Sequence, residues 1–289
     1  MILTNGCSYT GGNDNWPNGF GNYGYVFYNT NDPMEKYDII NIGAGGAGNT
    51  LIRRKTFQAL NGANYRNNIH YAIIQWSTID RWDYPIFVSE DRAKGFPRMD
   101  MHPERINKIN YMHEGTKTDG YAKEFFENYY SVHGAVIETL ENIYHTQEYL
   151  KKLNIPYKMI TIGNLFQMDV AINNLINLQK RNDYRQGDYS TLKTKNILEQ
   201  LEDFEDSFKH ANIINELLEK IDFTNFLFTD DVNIGGFGGG IIEWMNNNNE
   251  PMNENNFHPT LKQSFRFFDE FLWPNIKNEV EINYTKINN

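Results

Sequence analysis

The feature that most constrains the fold is a unit that recurs along the chain. A short apolar run ends on a turn rich in Gly, Asn or Ser, and a helical pattern follows. Ile2-Leu3-Thr4 runs into Asn5-Gly6. Tyr37-Asp38-Ile39-Ile40-Asn41-Ile42 ends in Gly43-Ala44-Gly45-Gly46-Ala47-Gly48. A helix is predicted to follow over 49–59, with Asn49 and Thr50 as good capping residues. His70-Tyr71-Ala72-Ile73-Ile74-Gln75-Trp76 reads as a third strand and Tyr157-Lys158-Met159-Ile160-Thr161-Ile162 as a fourth. Phe226-Leu227-Phe228 is a candidate fifth strand. Between them, 120–154 reads as a long helix with apolar positions at Phe125, Tyr129, Val132, Val136, Leu140 and Ile143, punctuated by Pro156. Pro259 to Trp273 reads as a closing helix with proline in its first turn.

Strands alternating with helices predict an α/β fold in which helices cover both faces of a mostly parallel, about five-stranded sheet. In such sheets ligands bind at the carboxyl ends of the strands. The segments after Thr4, Ile42 and Gln75, and the loop before the last helix, are therefore where chemistry is expected. No internal repeat and no clean linker divides the 289 residues, which read as one domain, 1–289. Residues about 82–117 carry no clear period and read as a surface insertion. A second, helical insertion spans about 164–255, with amphipathic stretches near 164–181 and 194–221. The run from Gly235 to Gly240 reads as a flexible or close-packed loop.

Composition narrows the partners. Hydrophobic residues make up 40% of the chain, enough for a substantial core. The formal net charge of -10 repels phosphate backbones, so nucleic acid is not expected as the main partner. No apolar run is long enough to span a bilayer, so no membrane is expected either, and no basic leader precedes Ile2. The single cysteine, Cys7, excludes an intrachain disulfide and fits a reducing compartment.

Three segments carry chemistry. Gly6-Cys7-Ser8 places a hydroxyl at a strand end beside a small residue, as a nucleophile requires. On the tripeptide alone, a turn serine that bonds its own backbone is the simpler reading. Gly43, Gly45 and Gly48 spell a G-x-G-x-x-G between a strand and a helix, which invites a dinucleotide reading. However, no acidic residue stands at the end of the next strand, which reads Gln75-Trp76-Ser77, and the glycines follow the second strand rather than the first. The same glycines can expose backbone N–H groups to an oxyanion or let helix and sheet pack closely. His258, just before Pro259, can reach back over the sheet edge and act as a general base. Asp100, His102 and His113 lack ligand-type spacing, so no metal or other cofactor is expected. Cys7 is expected to be a small core residue rather than the nucleophile.

Together these segments resemble the SGNH (GDSL-type) hydrolase superfamily. Gly6-Cys7-Ser8 is similar to its first block with Cys in the middle; Asn41, Gly43 and Gly46 match the second. Ile74-Gln75-Trp76-Ser77-Thr78-Ile79-Asp80 aligns with the third block, and Asn255-Asn256-Phe257-His258-Pro259 with the fifth. The opening Gly-Cys-Ser-Tyr-Thr, Gln75-Trp76-Ser77 with the following Arg81, and Trp244 before His258 also resemble SGNH-like proteins of tailed bacteriophages. The resemblance implies a three-layer α/β/α flavodoxin-like fold. It implies Ser8 as nucleophile, His258 as base, and backbone amides of Ser8 and Gly46 as oxyanion donors. Two blocks depart from the family. Ile79 stands where the oxyanion Asn is usual and cannot donate a hydrogen bond, a loss that typically costs about 10²–10³ in rate. Asn49 is the candidate replacement donor. Asn255 stands where the triad Asp is usual, leaving Glu254, Asp80, Asn255 itself or a backbone carbonyl to orient His258.

Two functions follow from the resemblance. One is a serine esterase acting on an ester, for example O-acetyl groups of a polysaccharide, with the Trp and Tyr residues suited to stacking on sugar rings. The other is a catalytically degenerate SGNH-fold structural or attachment protein of a phage particle, its insertions making homo-oligomer or virion contacts. The location is left open between cytoplasm and phage virion.

Overall fold

The structure is a computed structural model that describes residues 1–11, 38–45, 47–62, 68–79, 81–85, 109–113, 132–165, 212–230, 237–249 and 259–288. Its centre is a four-stranded parallel sheet built from β1 (Ile2–Asn5), β2 (Ile39–Asn41), β3 (Tyr71–Trp76) and β6 (Tyr157–Thr161), in the order β2-β1-β3-β6. The register pairs Ile2 with Ile39 and Tyr71, and Ala72 with Tyr157. β3 is central and every residue in it is buried, which is why it reads as an unbroken apolar run rather than an alternation. The expected fifth strand at Phe226–Phe228 is reduced to one parallel bridge, Met159 to Phe226, beside β6. A short 3₁₀ turn, Phe223–Asn225, leads into it.

Helices cover both faces. Asn5 points to α2 (Asn49–Asn61), where its Nδ2 donates to the Ile52 carbonyl (2.6 Å) and to Thr56 Oγ1 (2.8 Å). α2 packs its two buried i, i+4 rows, Leu51-Lys55-Ala59 and Ile52-Thr56-Leu60, beneath the strands and against α3 (Val132–Lys152). α3 in turn contacts α4 (Asn212–Lys220). On the opposite side of the pleat, the Tyr71 hydroxyl donates to Glu279 (2.9 Å) and Lys158 pairs with Glu279 (3.1 Å) on the final helix, α7 (Trp273–Asn288). Among the described residues no helix is long and apolar enough to cross a membrane.

Several sequence expectations change in detail. α3 ends in a left-handed Asn154 (φ 54°), with Ile155 N–H bonded to the Leu150 carbonyl and Asn154 N–H to that of Lys151. This Schellman closure ends the helix before Pro156 has to. The part of the expected helix before 132 lies outside the described residues. The supposedly patternless 82–117 stretch contributes to an antiparallel ribbon, β4 (Arg81–Pro85) with β5 (Ile109–His113). Neither Asn49 nor Thr50 caps α2. Gly48 occupies the N-cap without a side-chain bond, and Thr50 bonds Glu138 of α3 instead.

The closing helix starts later and runs further than expected. Pro259 precedes it, and Thr260 caps α6 (Leu261–Arg266) in a capping box with Gln263. The helix then widens into a π-turn over Phe267–Leu272 and continues as α7 through Pro274. The Trp273 N–H bonds the Phe268 carbonyl, five residues back. That offset carries the ladder up to a proline that has no N–H of its own and would otherwise crowd the turn before it.

Candidate active site

In the strand order β2-β1-β3-β6 the chain leaves adjacent strands β1 and β3 in opposite directions, so their carboxyl ends form the switch point of the sheet. Ser8 stands at that point. It opens α1 (Ser8–Gly11), a single helical turn, and is buried. The turn closes through Thr10 and Gly11 N–H groups, both bonded to the Cys7 carbonyl. Cys7 is also buried, with its thiol against the Gln75 amide (3.4 Å), as expected of a core residue.

The loops after β1, β2 and β3 are laced together around Ser8. Ala44 N–H donates to the Gly6 carbonyl (2.9 Å). Asn41 Nδ2 donates to the Thr10 carbonyl (3.0 Å), while its Oδ1 accepts from Gly43 N–H (2.9 Å). A Cβ on Gly43 would lie 2.8 Å from Gly11 Cα, so this glycine serves close approach between the first two loops.

Asn49 joins the second loop to the third. Its Oδ1 accepts from Ser77 N–H (2.8 Å), and its Nδ2 donates to the Ser77 carbonyl (3.2 Å) and to Thr139 Oγ1 (3.1 Å). Both amide hydrogens are thus engaged, and in this arrangement Asn49 has none to offer an oxyanion. The adjacent Ser77 hydroxyl is wholly buried and has no hydrogen-bond partner among the described residues. Ile79 is half-buried and packs against the core.

A second clasp closes the sheet edge at β6. The Glu243 carboxylate on α5 (Ile241–Asn247) accepts from Asn164 N–H (3.0 Å) and Gly240 N–H (2.7 Å). A Cβ on Gly240 would overlap the Thr161 carbonyl, so the end of the glycine run is close-packed. Burial pushes the Tyr9 phenol, next to Ser8, far above its ordinary range; Cys7 and Glu243 add to the shift and Arg81 opposes it. Trp244 is buried, edge-on to Phe267 with Arg266 over its ring, so it serves packing.

Of the sequence-derived site residues, the structure brings Ser8 and Asn49 to the same edge of the sheet. Gly46, Asp80, Glu254, Asn255 and His258 lie outside the described residues, as do Asp100 and His102. Among the described residues no group of three His, Cys, Asp or Glu is placed to hold a metal. Sequence reasoning missed Gln75, which packs directly under the Ser8 turn. Its signal was a lone amide within an apolar strand buried on both faces, since such a group must find partners. Comparison with family models, curated proteins and solved structures finds no match.

Proposed function

We propose that the chain is a serine ester hydrolase of the SGNH type on a flavodoxin-like scaffold. The observation that carries this reading is the place of Ser8: the third residue after β1 and the first of a one-turn helix, at the β1/β3 switch point of a parallel sheet ordered β2-β1-β3-β6. With the bridge at Phe226 counted as a fifth position, that order follows the 2-1-3-4-5 succession of flavodoxin-like sheets. The exclusively parallel pairing of the sheet and the final helix on its far face support the same scaffold.

In this mechanism the Ser8 hydroxyl attacks the ester carbonyl as His258 takes its proton. Backbone N–H groups of Ser8 and Gly46 hold the negative charge of the tetrahedral intermediate. His258 then protonates the departing alcohol, and water repeats the sequence to release the acid. An acetylated polysaccharide is the substrate class. The test is p-nitrophenyl acetate turnover by wild type, Ser8→Ala and His258→Ala. Turnover abolished by either substitution supports the reading, and turnover indifferent to Ser8→Ala sinks it.

A second reading is favoured by a separate observation. Asn49 spends its amide hydrogens on the Ser77 carbonyl and Thr139, and Ile79 has no amide, so neither residue supplies a side-chain N–H to an oxyanion. A catalytically degenerate attachment module, as in a phage particle, would need none. Wild type without turnover above the buffer rate selects that reading.

A further inference from the structure

We propose that Gln75 is the positioning residue of the Ser8 site: a buried amide on β3 that grips the residues on both sides of Ser8 and so sets where its hydroxyl lies. This rests on the reading of Ser8 as the nucleophile. α1 is one turn long, and an isolated turn has no stability of its own, so its geometry is whatever its anchors impose. Gln75 Oε1 accepts from Thr10 Oγ1 (2.8 Å), and the same amide meets Cys7 Sγ at 3.4 Å. Cys7 and Thr10 bracket Ser8.

The amide cannot turn over freely. Gln75 Nε2 donates to the Trp76 carbonyl (2.8 Å), so a flipped amide would set two acceptors against each other there. Oε1 is therefore held toward α1. The fit is also steric: a Cβ on Gly6 would lie 2.8 Å from Gln75 Oε1 and 2.9 Å from Gln75 Cβ, so the side chain fills the floor of the turn. Gln75 is wholly buried and cannot touch substrate. It acts on Ser8 through Cys7 and Thr10.

Gln75→Met keeps the length of the side chain and removes the amide. Its kcat for p-nitrophenyl acetate is expected to fall about 10²-fold, the effect of a displacement near 1 Å, with KM within about twofold. Labelling of Ser8 by a fluorophosphonate should slow in parallel. Thr10→Val should act in the same direction, and the double variant should be no slower than the slower single, since the pair works as one unit. Val280→Ala on α7 serves as a destabilised control with the wild-type labelling rate. If Gln75→Met does not fold, Thr10→Val, which removes only the bond between them, carries the test. Wild-type labelling rates in these variants, additive losses, or an equal loss in Val280→Ala would overturn the role of Gln75 while leaving Ser8 in place. A wild type that does not label at all overturns the Ser8 reading, and this inference with it.

Discussion

Replacing Asn49 with Ala separates a structural role from a catalytic one. In the structure this side chain satisfies both main-chain groups of Ser77 and one bond to Thr139, all in buried positions. Truncation leaves the Ser77 N–H and carbonyl without their partner, where water cannot replace it. Each such group costs about 1–3 kcal/mol, the N–H more than the carbonyl, which has a second lone pair. The sum comes to about 3–4 kcal/mol, a large fraction of the roughly 5–15 kcal/mol that holds a typical domain together. Urea unfolding followed by circular dichroism should show this loss as a lower midpoint with an unchanged slope. The kcat of the folded fraction should fall by less than the 10²–10³ typical of a lost oxyanion donor. A variant with wild-type stability and a hundredfold loss of kcat would refute the reasoning and restore Asn49 as the oxyanion donor.

Two further perturbations test the packing and the electrostatics. Gly240→Ala drives a methyl into the Thr161 carbonyl and should cost about 3 kcal/mol in thermal melts; a change within about 0.5 kcal/mol would show that the loop relaxes freely. His70, at the amino end of β3, has its imidazole pKa lowered by burial and then by the Met1 ammonium nearby. The unfolded chain therefore binds the proton more tightly. The stability His70 confers is whole above the ordinary histidine value of about 6.5 and falls as pH drops through it toward the depressed native value. Urea melts at about pH 7.5 and about pH 5.5 should show this loss in wild type and a smaller one in His70→Gln. An identical pH dependence in the two proteins would remove His70 from the account.

The parts of this fold that were legible in the sequence are those with local causes. β1, β3 and β6 announce themselves as apolar runs bounded by Gly, Asn or Pro. Ser8 is picked out by its place three residues past the end of the first of them, behind Gly6-Cys7. What was not legible depends on distant partners. Arg81-Trp82-Asp83-Tyr84-Pro85 has no apolar alternation and contains a proline, yet it pairs with Ile109–His113 across a long excursion of the chain. Pro274 reads as a helix stop, and only the π-turn before it explains why α7 continues. Asn49 reads as a helix cap because asparagine so often serves as one. Its side chain is instead claimed by Ser77, which a one-dimensional reading does not place beside it.

The most direct measurement of the central claim, that Ser8 is an activated nucleophile at the switch point of the sheet, is mass spectrometry after reaction with a fluorophosphonate. One adduct is expected, carried by the peptide that contains Ser8, missing in Ser8→Ala and formed far more slowly in His258→Ala. An unmodified wild-type protein, or an adduct on another residue such as Ser77, would contradict it.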